Sequence, residues 1–498
     1  MESQNATRWE RAIEEELQSL EDNDTWSIVN HPTNANVIDA KWIFRVKADG
    51  KFKARLVARG FQQVFNVNDN IYSPTAKVQS LKLLLSVSAV HSFQIEHLDV
   101  QSAFLHGKIK EEVFIYPPEG LRVEKNHVSK LNKALYGLRN SPKDWYEAFN
   151  EFAIALGFNM CKSDYCLYFK VVSGKIMFIF IYVDDVLLFS DDNAFMEQVK
   201  TALTKQFKMK ILGRIKNYLG IQIDNDPSKK LIKLNQAENM KTLANRFGIE
   251  NANLFNTPME VNLKILPAKD QDFSETLFRG LIGALLYVSI NTRPDILFSV
   301  NYLARFQNNC CETTFKYALR VLKYLYKTKN VNLTYLGNRV EKNEILKCFV
   351  DSDWAGDPTD GRSTTGYVVY LYNNSIYWKS KKQSCVAKSS TEAEYIALLE
   401  AVTEIKFVKN LASEIFVKIP LPIKIFEDNS GAVIIANYGN LTKKSKHISI
   451  QFYFVLENVS QNVIDVIKCD STLNVADILT KPLSRQVFER VRVFLNLY

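Results

Sequence analysis

The segment that most constrains this chain is FIFIYVDDVLLF, residues 178–189, in which two adjacent carboxylates interrupt an apolar run. Ten of its twelve residues are apolar or aromatic, and the exceptions are Asp184 and Asp185. Burying an unpaired carboxylate is strongly unfavourable, so such groups are normally paired or bound to a metal. The segment therefore predicts a β-hairpin whose tip is either an exposed turn, which Asp also suits, or a place where two acids meet a cation.

The composition predicts a folded protein rather than a disordered one. The chain has 498 residues, of which 47% are hydrophobic and 23% charged, enough for roughly three folding units. The net charge of +9 fits a nucleic-acid partner without proving one. The seven cysteines form no Cys-x-x-Cys pair, which favours a reduced intracellular compartment. No signal peptide and no long uncharged apolar run are present, so no membrane span is expected.

Hydrophobic periodicity predicts a chain that mixes helices and strands. Helices are predicted over 7–20, 79–92, 141–157, 193–207, 236–247, within 275–328 and over 390–416. Strands are predicted over 94–99, 165–172, 176–183, 217–224, 230–235, 345–351, 366–372, 375–380, 383–387 and 422–427, with a basic hairpin over 40–62 that turns at 48–50. A new unit begins near 345, and the polar segment 327–343 is predicted to be a linker.

A third acid of the first half, Asp99, ends its own predicted strand in HLDVQSAF. If Asp99 meets Asp184 and Asp185, the three carboxylates repel one another unless divalent cations neutralise them. Mg²⁺ prefers oxygen ligands, and two such ions about 3.5–4 Å apart can activate a hydroxyl and stabilise a leaving pyrophosphate. Lys53 and Arg55 on the predicted basic hairpin would then contact a triphosphate, although a basic strand can also be only a solvated face.

Four further acids lie at or near the ends of predicted elements in the last third of the chain: Asp351, Glu394, Asp428 and Asp477. Each alone is compatible with a cap or a turn. Together they could bind two Mg²⁺ ions and activate water for phosphodiester cleavage.

The chain resembles the reverse transcriptase and ribonuclease H region of copia-type LTR retrotransposon Pol polyproteins. The blocks that carry the resemblance, in this order, are KARLVARGF, HLDVQSAFLHG, LNKALYGLRNSPKDW, IYVDDVLLF, NYLGIQI, DSDWAGD, SSTEAEYIAL, EDNSGA, KHISI and ADILTKPL. The resemblance implies an α+β right-hand polymerase of fingers, palm and thumb, followed by an α/β ribonuclease H-like domain with a mixed sheet. The implied domains are an N-terminal helix (1–22), fingers and palm (23–265), a helical thumb or connection (266–340) and the ribonuclease H-like domain (345–485).

The resemblance also implies roles for individual residues. The metal ligands would be Asp99, Asp184 and Asp185 in one site and Asp351, Glu394, Asp428 and Asp477 in the other, with two Mg²⁺ or Mn²⁺ ions per site. Glu394 is preferred over Glu392 because it fits the family's acid-x-x-Ala pattern. The substrate-binding residues would be Lys53, Arg55, Phe104, Gly137, Tyr182, Tyr218, Leu219 and Gly220.

Among these residues, Phe104 would screen the sugar 2′-position, Gly137 would lie under the template base pair, and Tyr218, Leu219 and Gly220 would form the primer grip. For Phe104 a core position stays open, and for Gly137 a helix cap. His447 is a family feature for which a surface role and a catalytic role are both open.

The function implied is synthesis of DNA from dNTPs on an RNA template or a DNA template with a DNA primer, with cleavage of RNA in RNA–DNA hybrids. An inactive or co-opted nucleic-acid-binding protein of the same fold is the alternative, since the fingers hairpin is short, Lys82 stands in place of the usual Arg and Asn140 in place of Gln. No Gag zinc knuckle, aspartic protease block or integrase is evident, so the sequence is expected to correspond to one segment of such a polyprotein. Family analogy suggests association with Gag and integrase, in a cytoplasmic particle and then the nucleus.

Overall fold

The computed structural model describes residues 5–46, 50–64, 71–121, 123–266, 274–439 and 450–498, with the backbone alone at 450 and 451. The described residues form two compact units. The first comprises residues up to 76 together with 96–213, and the second comprises 77–95 and 214–498.

Both units combine helices and strands. The helices of the described residues are α1 (Ala6–Asp22), α2 (Val78–His91), α3 (Ser141–Ala155), α4 (Asn193–Gln206), α5 (Ala237–Arg246), α6 (Glu275–Asn291), α7 (Leu297–Ala304), α8 (Glu312–Lys327), α9 (Ser390–Glu414), α10 (Ser430–Tyr438), α11 (Ile450–Ser460) and α12 (Arg485–Phe494). The strands are β1 (Trp26–Asn30), β2 (Val37–Ile38), β3 (Ala40–Val46), β4 (Phe52–Ala58), β5 (Gln94–Val100), β6 (Phe114–Ile115), β7 (His127–Leu131), β8 (Asn159–Met160), β9 (Leu167–Val172), β10 (Lys175–Tyr182), β11 (Asp185–Ser190), β12 (Met209–Arg214), β13 (Asn217–Tyr218), β14 (Ile221–Asp226), β15 (Leu231–Asn235), β16 (Leu333–Leu336), β17 (Leu346–Asp353), β18 (Thr364–Leu371), β19 (Asn374–Lys382), β20 (Ile423–Glu427) and β21 (Ile464–Lys468). Among the helices of the described residues, none combines the length and apolar composition that crossing a membrane requires.

The core of the first unit is a six-stranded sheet in the order β12-β5-β11-β10-β9-β8. On β10, Met177, Ile179 and Ile181 pack into the hydrophobic cluster to which α3 and α4 contribute. Phe178 and Phe180 on the opposite face are also buried, at 1% exposure each. A strand buried on both faces reads as a continuous apolar run, which explains why this segment does not alternate.

The basic hairpin predicted over 40–62 is present as the antiparallel pair β3–β4, and 48–49 of its turn lie outside the described residues. Helix α1 packs against it through Trp9, whose ring contacts Phe44 and Phe52 at centroid distances of 5.1 and 4.4 Å. The N-terminal helix therefore covers the face of the hairpin that carries Phe44 and Phe52.

The second unit is built on a five-stranded mixed sheet in the order β19-β18-β17-β20-β21. Strand β17 pairs antiparallel with β18 and parallel with β20, as the predicted mixed sheet requires. Helix α2 belongs to this unit: ten of its residues are buried, and Ser86 Oγ donates to Leu371 O at 2.9 Å. A helix that its neighbours enclose on most sides needs no polar face toward solvent, which explains its weak amphipathic pattern.

Three predictions of secondary structure were wrong. Residues 383–387 do not form a strand, because the side chain of Gln383 donates to Ala393 O, at the beginning of α9, at 2.9 Å and the chain leaves the sheet there. Residues 217–224 form two short strands around a tight turn instead of one. The segment 327–343 is not simply a linker, since its buried residues Leu333 and Tyr335 form β16, which pairs with β15.

Candidate active sites

The acidic hairpin of the first unit presents Asp184 in its turn and Asp185 at the first position of β11, opposite Tyr182. Val183 adopts φ +55°, a left-handed conformation that is rare for a β-branched residue. Trp145 Nε1 donates to Val183 O at 2.6 Å. Unusual backbone conformations of this kind persist only where their surroundings hold them, and they cluster at functional sites.

Asp99 lies on the neighbouring strand, and Val100 N–H donates to Asp184 O at 2.8 Å, so the two acidic segments are adjacent. Burial raises the pKa of Asp184, and the charges of Asp185 and Asp99 raise it further, while Arg55 opposes them. A group whose ionised form is disfavoured by burial and by its neighbours gains from a nearby cation.

Asp185 is held by a histidine of the same unit. His97 Nε2 lies 2.6 Å from Asp185 Oδ1, and His97 is 6% exposed. The three aspartates do not form a compact donor set: among the described residues, the only group of three His, Cys, Asp or Glu side chains with ligand atoms within 4.8 Å of one another is in the second unit.

Arg55 lies against an aromatic pair, and its charge acts on Asp184. Its guanidinium lies 5.2 Å from the ring centroid of Tyr136, and Tyr136 contacts Phe104 edge-on at 4.6 Å. Burial raises the pKa of Tyr136, and Asp184 and Asp99 contribute to the rise while Arg55 opposes it. Phe104 is half-buried against the core, so it has both a packing role and a place in this cluster.

Helix α1 supplies an acid beside the basic strand. Burial raises the pKa of Glu16, and the positive charges of Lys53 and Arg55 act against that rise. Sequence reasoning missed Glu16 and Tyr136. The position of Tyr136 directly before Gly137 was the signal available for the tyrosine.

Gly137 permits a close approach of two segments and does not cap a helix. Its φ is +92°, and a Cβ at this position would lie 2.1 Å from Ala58 O. Ala58 N–H donates to Tyr136 O at 2.7 Å, and α3 begins only at Ser141. The loop carrying Tyr136 is thereby fixed to β4, the strand that carries Lys53 and Arg55.

Tyr218, Leu219 and Gly220 lie in the second unit, where Tyr218 ends β13 and the other two form the tight turn before β14. Leu219 and Gly220 both have positive φ, at 46° and 71°, as a two-residue hairpin turn requires. Tyr287 donates to Leu219 O, and Asn239 donates to Gly220 O at 3.1 Å, so two helices brace this turn.

The compact acidic cluster of the second unit consists of Asp351, Glu394 and Asp428. Because β17 and β20 are parallel with Phe349 opposite Phe426, Asp351 and Asp428 lie at the same end of neighbouring strands. Helix α9 begins with Ser389 as its N-cap and brings Glu394 over them, at 6% exposure.

The electrostatics of this cluster favour a cation. Burial raises the pKa of Glu394, with further contributions from Glu427, Asp351 and Asp428. Glu394 Oε2 is buried and has no hydrogen-bond partner among the described residues. A buried carboxylate oxygen without a hydrogen-bond partner, within a set of carboxylates, suits a hard divalent cation. These three side chains are therefore suitable ligands for Mg²⁺ or Mn²⁺. Glu392, in contrast, is only half-buried and accepts from Lys388 N–H at 2.7 Å.

Asp477 reaches the cluster through Lys481. It lies in a short 3₁₀ turn, Val475–Leu479, that precedes α12. Lys481 Nζ lies 2.8 Å from Asp477 Oδ1 and 3.7 Å from Asp351 Oδ2, and Thr480 Oγ1 also donates to Asp351. Burial and the charge of Asp351 raise the pKa of Asp477.

Sequence reasoning missed Lys481 and also Glu427, which directly precedes Asp428. Glu427 is fully buried, Asn429 N–H donates to its Oε1 at 2.9 Å, and burial raises its pKa. The signals available were the adjacent acids in IFEDNS and the lysine of ILTKPL. His447 lies outside the described residues.

Comparison with known proteins finds a family that matches the first part of the chain. Residues 23–261 match the family described as "Reverse transcriptase (RNA-dependent DNA polymerase)". The chain is 33% identical over 504 residues to the retrovirus-related Pol polyprotein from transposon TNT 1-94 of Nicotiana tabacum, covering 98% of this chain and 38% of that protein. It is also 33% identical over 493 residues to the Pol polyprotein from transposon RE1 of Arabidopsis thaliana, covering 97% of this chain and 33% of that protein.

The fold is that of a solved reverse transcriptase. The structure of the foamy viral protease-reverse transcriptase, determined in complex with an RNA/DNA hybrid, matches with a TM-score of 0.52 and 11% identity, covering 93% of this chain and 53% of that chain. Residues 23–261 therefore match the reverse transcriptase family, and the resemblance to copia-type Pol polyproteins and the predicted polymerase fold are confirmed.

Proposed function

We propose that this chain is an RNA-directed DNA polymerase whose second unit cleaves the RNA strand of RNA–DNA hybrids. The observation that carries the polymerase proposal is the hydrogen bond from Val100 N–H to Asp184 O, which holds two acidic segments together beside Arg55. This arrangement lies within the region that matches the reverse transcriptase family. The proposal covers this chain alone, which spans 38% of the length of its tobacco relative.

The proposed cofactor is Mg²⁺ or Mn²⁺, two ions per centre. Asp99, Asp184 and Asp185 would hold the ions in the first unit. When bound, such ions supply charge stabilisation at the attacking and leaving oxygens. Arg55, oriented by the ring of Tyr136, would bind the triphosphate of a dNTP, and Lys53 on the same strand would add a second positive charge.

The same proposal gives Phe104 the role of a sugar selector. Its ring packs edge-on against Tyr136 near the acids. A ring in contact with C2′ of a bound nucleotide would leave no room for a 2′-hydroxyl. The Leu219–Gly220 turn, braced by Tyr287 and Asn239, would contact the primer backbone.

In the second unit, Asp351, Glu394 and Asp428 would hold the ions, with Asp477 at the edge of the cluster. Their compact arrangement supports hydrolysis of a phosphodiester by water. The proposed partners are an RNA template, a DNA primer, the RNA–DNA hybrid and, by family analogy, Gag and integrase. The same analogy suggests that the protein is first in a cytoplasmic particle and then in the nucleus.

Primer extension on poly(rA)·oligo(dT) tests the polymerase proposal. We expect Asp184→Asn to lower the rate by at least about 100-fold, because it removes a charge at the reacting centre. Asp191→Asn, an exposed aspartate just after the same hairpin, is the matched control and should retain activity. If the wild-type chain binds the duplex but does not extend the primer with Mg²⁺ or Mn²⁺, the inactive or co-opted alternative replaces this proposal.

Cleavage of labelled RNA in an RNA–DNA hybrid tests the nuclease proposal. Asp428→Asn should abolish cleavage, whereas Asp465→Asn, on the neighbouring strand β21 and outside the cluster, should not. Cleavage that survives Asp428→Asn would show that the cluster is not the nuclease centre.

A further inference from the structure

His97 is buried in the first unit, and its imidazole contacts Asp185, one of the predicted metal ligands. Its Nε2 lies 2.6 Å from Asp185 Oδ1, and the side chains are 8% and 22% exposed. A carboxylate only accepts hydrogen bonds, so Nε2–H is the donor and the imidazole fixes one oxygen of Asp185.

The alternation of strand β5 explains how a histidine reaches this place. Leu98 and Val100 pack into the core with α3 and α4, so His97 and Asp99 project from the opposite face of the strand. On β11, Val186 and Leu188 likewise enter the core, which directs Asp185 to the same opposite face. One strand face thus carries both a predicted metal ligand and the donor that holds another.

The two acidic centres differ in how closely their carboxylates approach one another, and the His97–Asp185 contact occurs only in the more open one of these two. Asp351, Glu394 and Asp428 converge within 4.8 Å without a histidine, whereas Asp99, Asp184 and Asp185 do not form such a set. In the first centre one oxygen of Asp185 is engaged by His97 instead of pointing freely toward the other acids. Histidine–carboxylate contacts next to a metal orient the ligand and typically change metal affinity by about 10–100-fold.

We propose that His97 is a positioning residue of the polymerase centre, whose Nε2–H fixes the orientation of Asp185 and leaves the other carboxylate oxygen to face a divalent cation. This inference rests on the proposed polymerase function. It concerns the hydrogen bond alone, so an uncharged donor of the same reach should replace the imidazole.

Binding of Mn²⁺, followed by electron paramagnetic resonance without substrate, tests the inference. The full chain carrying Glu394→Gln and Asp428→Asn would be used, so that the second cluster does not contribute. His97→Leu, which removes the donor, should weaken Mn²⁺ binding by about 10-fold or more. His97→Gln, whose amide N–H can take the place of Nε2–H, should stay within about threefold of the parent.

The same variants in primer extension should show the Mg²⁺ concentration for half-maximal rate rising in His97→Leu and recovering in His97→Gln. If His97→Leu does not fold, His97→Asn, whose shorter amide cannot reach Asp185, takes its place against His97→Gln. Equal Mn²⁺ binding by the parent, Leu and Gln chains, or equal weakening by Leu and Gln, would overturn the role of the hydrogen bond. Failure of the wild-type chain to extend a primer would overturn the proposed function but not the Mn²⁺ result.

Discussion

Lys481 is the residue that most directly offsets the negative charge of the second acidic cluster. Its ammonium group contacts Asp477 and Asp351 at 2.8 and 3.7 Å. Burial alone would lower the pKa of Lys481, but the charges of Asp351 and Asp477 outweigh it and raise the pKa above its usual value. The lysine therefore stays charged and stabilises the acids when no other cation is present.

Replacing this ammonium group should make the second unit depend on divalent cations for its stability. We expect Lys481→Met to lower the melting temperature in EDTA and to recover more than the wild type when millimolar Mg²⁺ is added, because a ligand that binds only the folded state stabilises it. Thermal unfolding with and without Mg²⁺ measures the difference. Lys424→Met is the control, since Lys424 pairs with Glu344 away from the cluster. Equal responses to Mg²⁺ in the wild type and Lys481→Met would contradict the prediction.

Comparing Gly137→Ala with Gly174→Ala separates two contributions to destabilisation: a side chain at positive φ and a steric clash with a neighbouring segment. Gly137→Ala adds a Cβ 2.1 Å from Ala58 O at φ +92°, whereas Gly174→Ala adds one in open space at φ +80°. We expect about 1–2 kcal/mol of destabilisation for Gly174→Ala from the backbone alone. Overpacking adds about 1–3 kcal/mol for Gly137→Ala.

Urea unfolding of the two alanine variants, compared with the wild type, measures this difference. Gly137→Ala should also slow primer extension, because the loop that carries Tyr136 can no longer stay against β4. A Gly137→Ala chain as stable as Gly174→Ala would show that the two segments separate at little cost.

At the scale of the element, α2 buries Lys82, the residue that stands where related sequences usually have Arg. Lys82 is 3% exposed, its Nζ donates to Ile290 O at 2.8 Å, and it lies 3.3 Å from the ring centroid of Trp378. The sequence suggested that this lysine would affect the fingers, but Lys82, Ile290 and Trp378 all belong to the second unit. Burial lowers its pKa well below the usual value of 10.5.

This shift predicts how stability depends on pH. Between the lowered pKa of Lys82 in the folded chain and 10.5, the unfolded chain binds more protons, so the free energy of unfolding rises with pH. Lys82→Met lacks this contribution. We expect the variant to be at least as stable as the wild type at pH 7 and to lose its relative advantage toward pH 10. Melting curves over this range test the sign, with the exposed Lys381→Met as the control for loss of one charge.

The elements that the sequence predicted well are those whose pattern is local. The apolar run around Asp184 and Asp185 gave the hairpin, the alternation of basic and apolar residues gave β3–β4, and the long helix over 390–416 was found to within two residues. Pairings between distant segments were not predictable in this way. Strand β16 is too short to stand out in a polar segment, and it forms because β15 offers an edge about a hundred residues earlier in the chain.

The candidate sites show the same difference between features visible in a local pattern and contacts between distant segments. The acids could be named because carboxylates at strand ends are visible in a sequence, and the choice of Glu394 over Glu392 followed from the family pattern and matches the burial of Glu394. His97, Tyr136, Glu16 and Lys481 were missed because each acts through a contact that only the fold creates. An isolated histidine in a strand pattern gives no indication that its ring reaches an acid 88 residues away.

At the scale of the whole molecule, the predicted ligands of each acidic centre come from one compact unit. Asp99, Asp184 and Asp185 belong to the first unit, although the chain leaves that unit for α2 between 77 and 95. Asp351, Glu394 and Asp428 belong to the second. Neither centre borrows a predicted ligand from the other unit, so each should keep its metal ligands when the other is disabled.

This organisation predicts two activities that mutation can separate. Asp184→Asn should lower primer extension by at least about 100-fold and leave cleavage of a preformed RNA–DNA hybrid within about twofold of the wild type, and Asp428→Asn should do the reverse, because mutations in residue sets that share no partners act independently. Both reactions would be measured on the same preparations, with the double variant as the baseline for each. Loss of both activities in either single variant, in a chain that still binds the hybrid, would mean that the two centres depend on each other in a way that their separate ligand sets do not require.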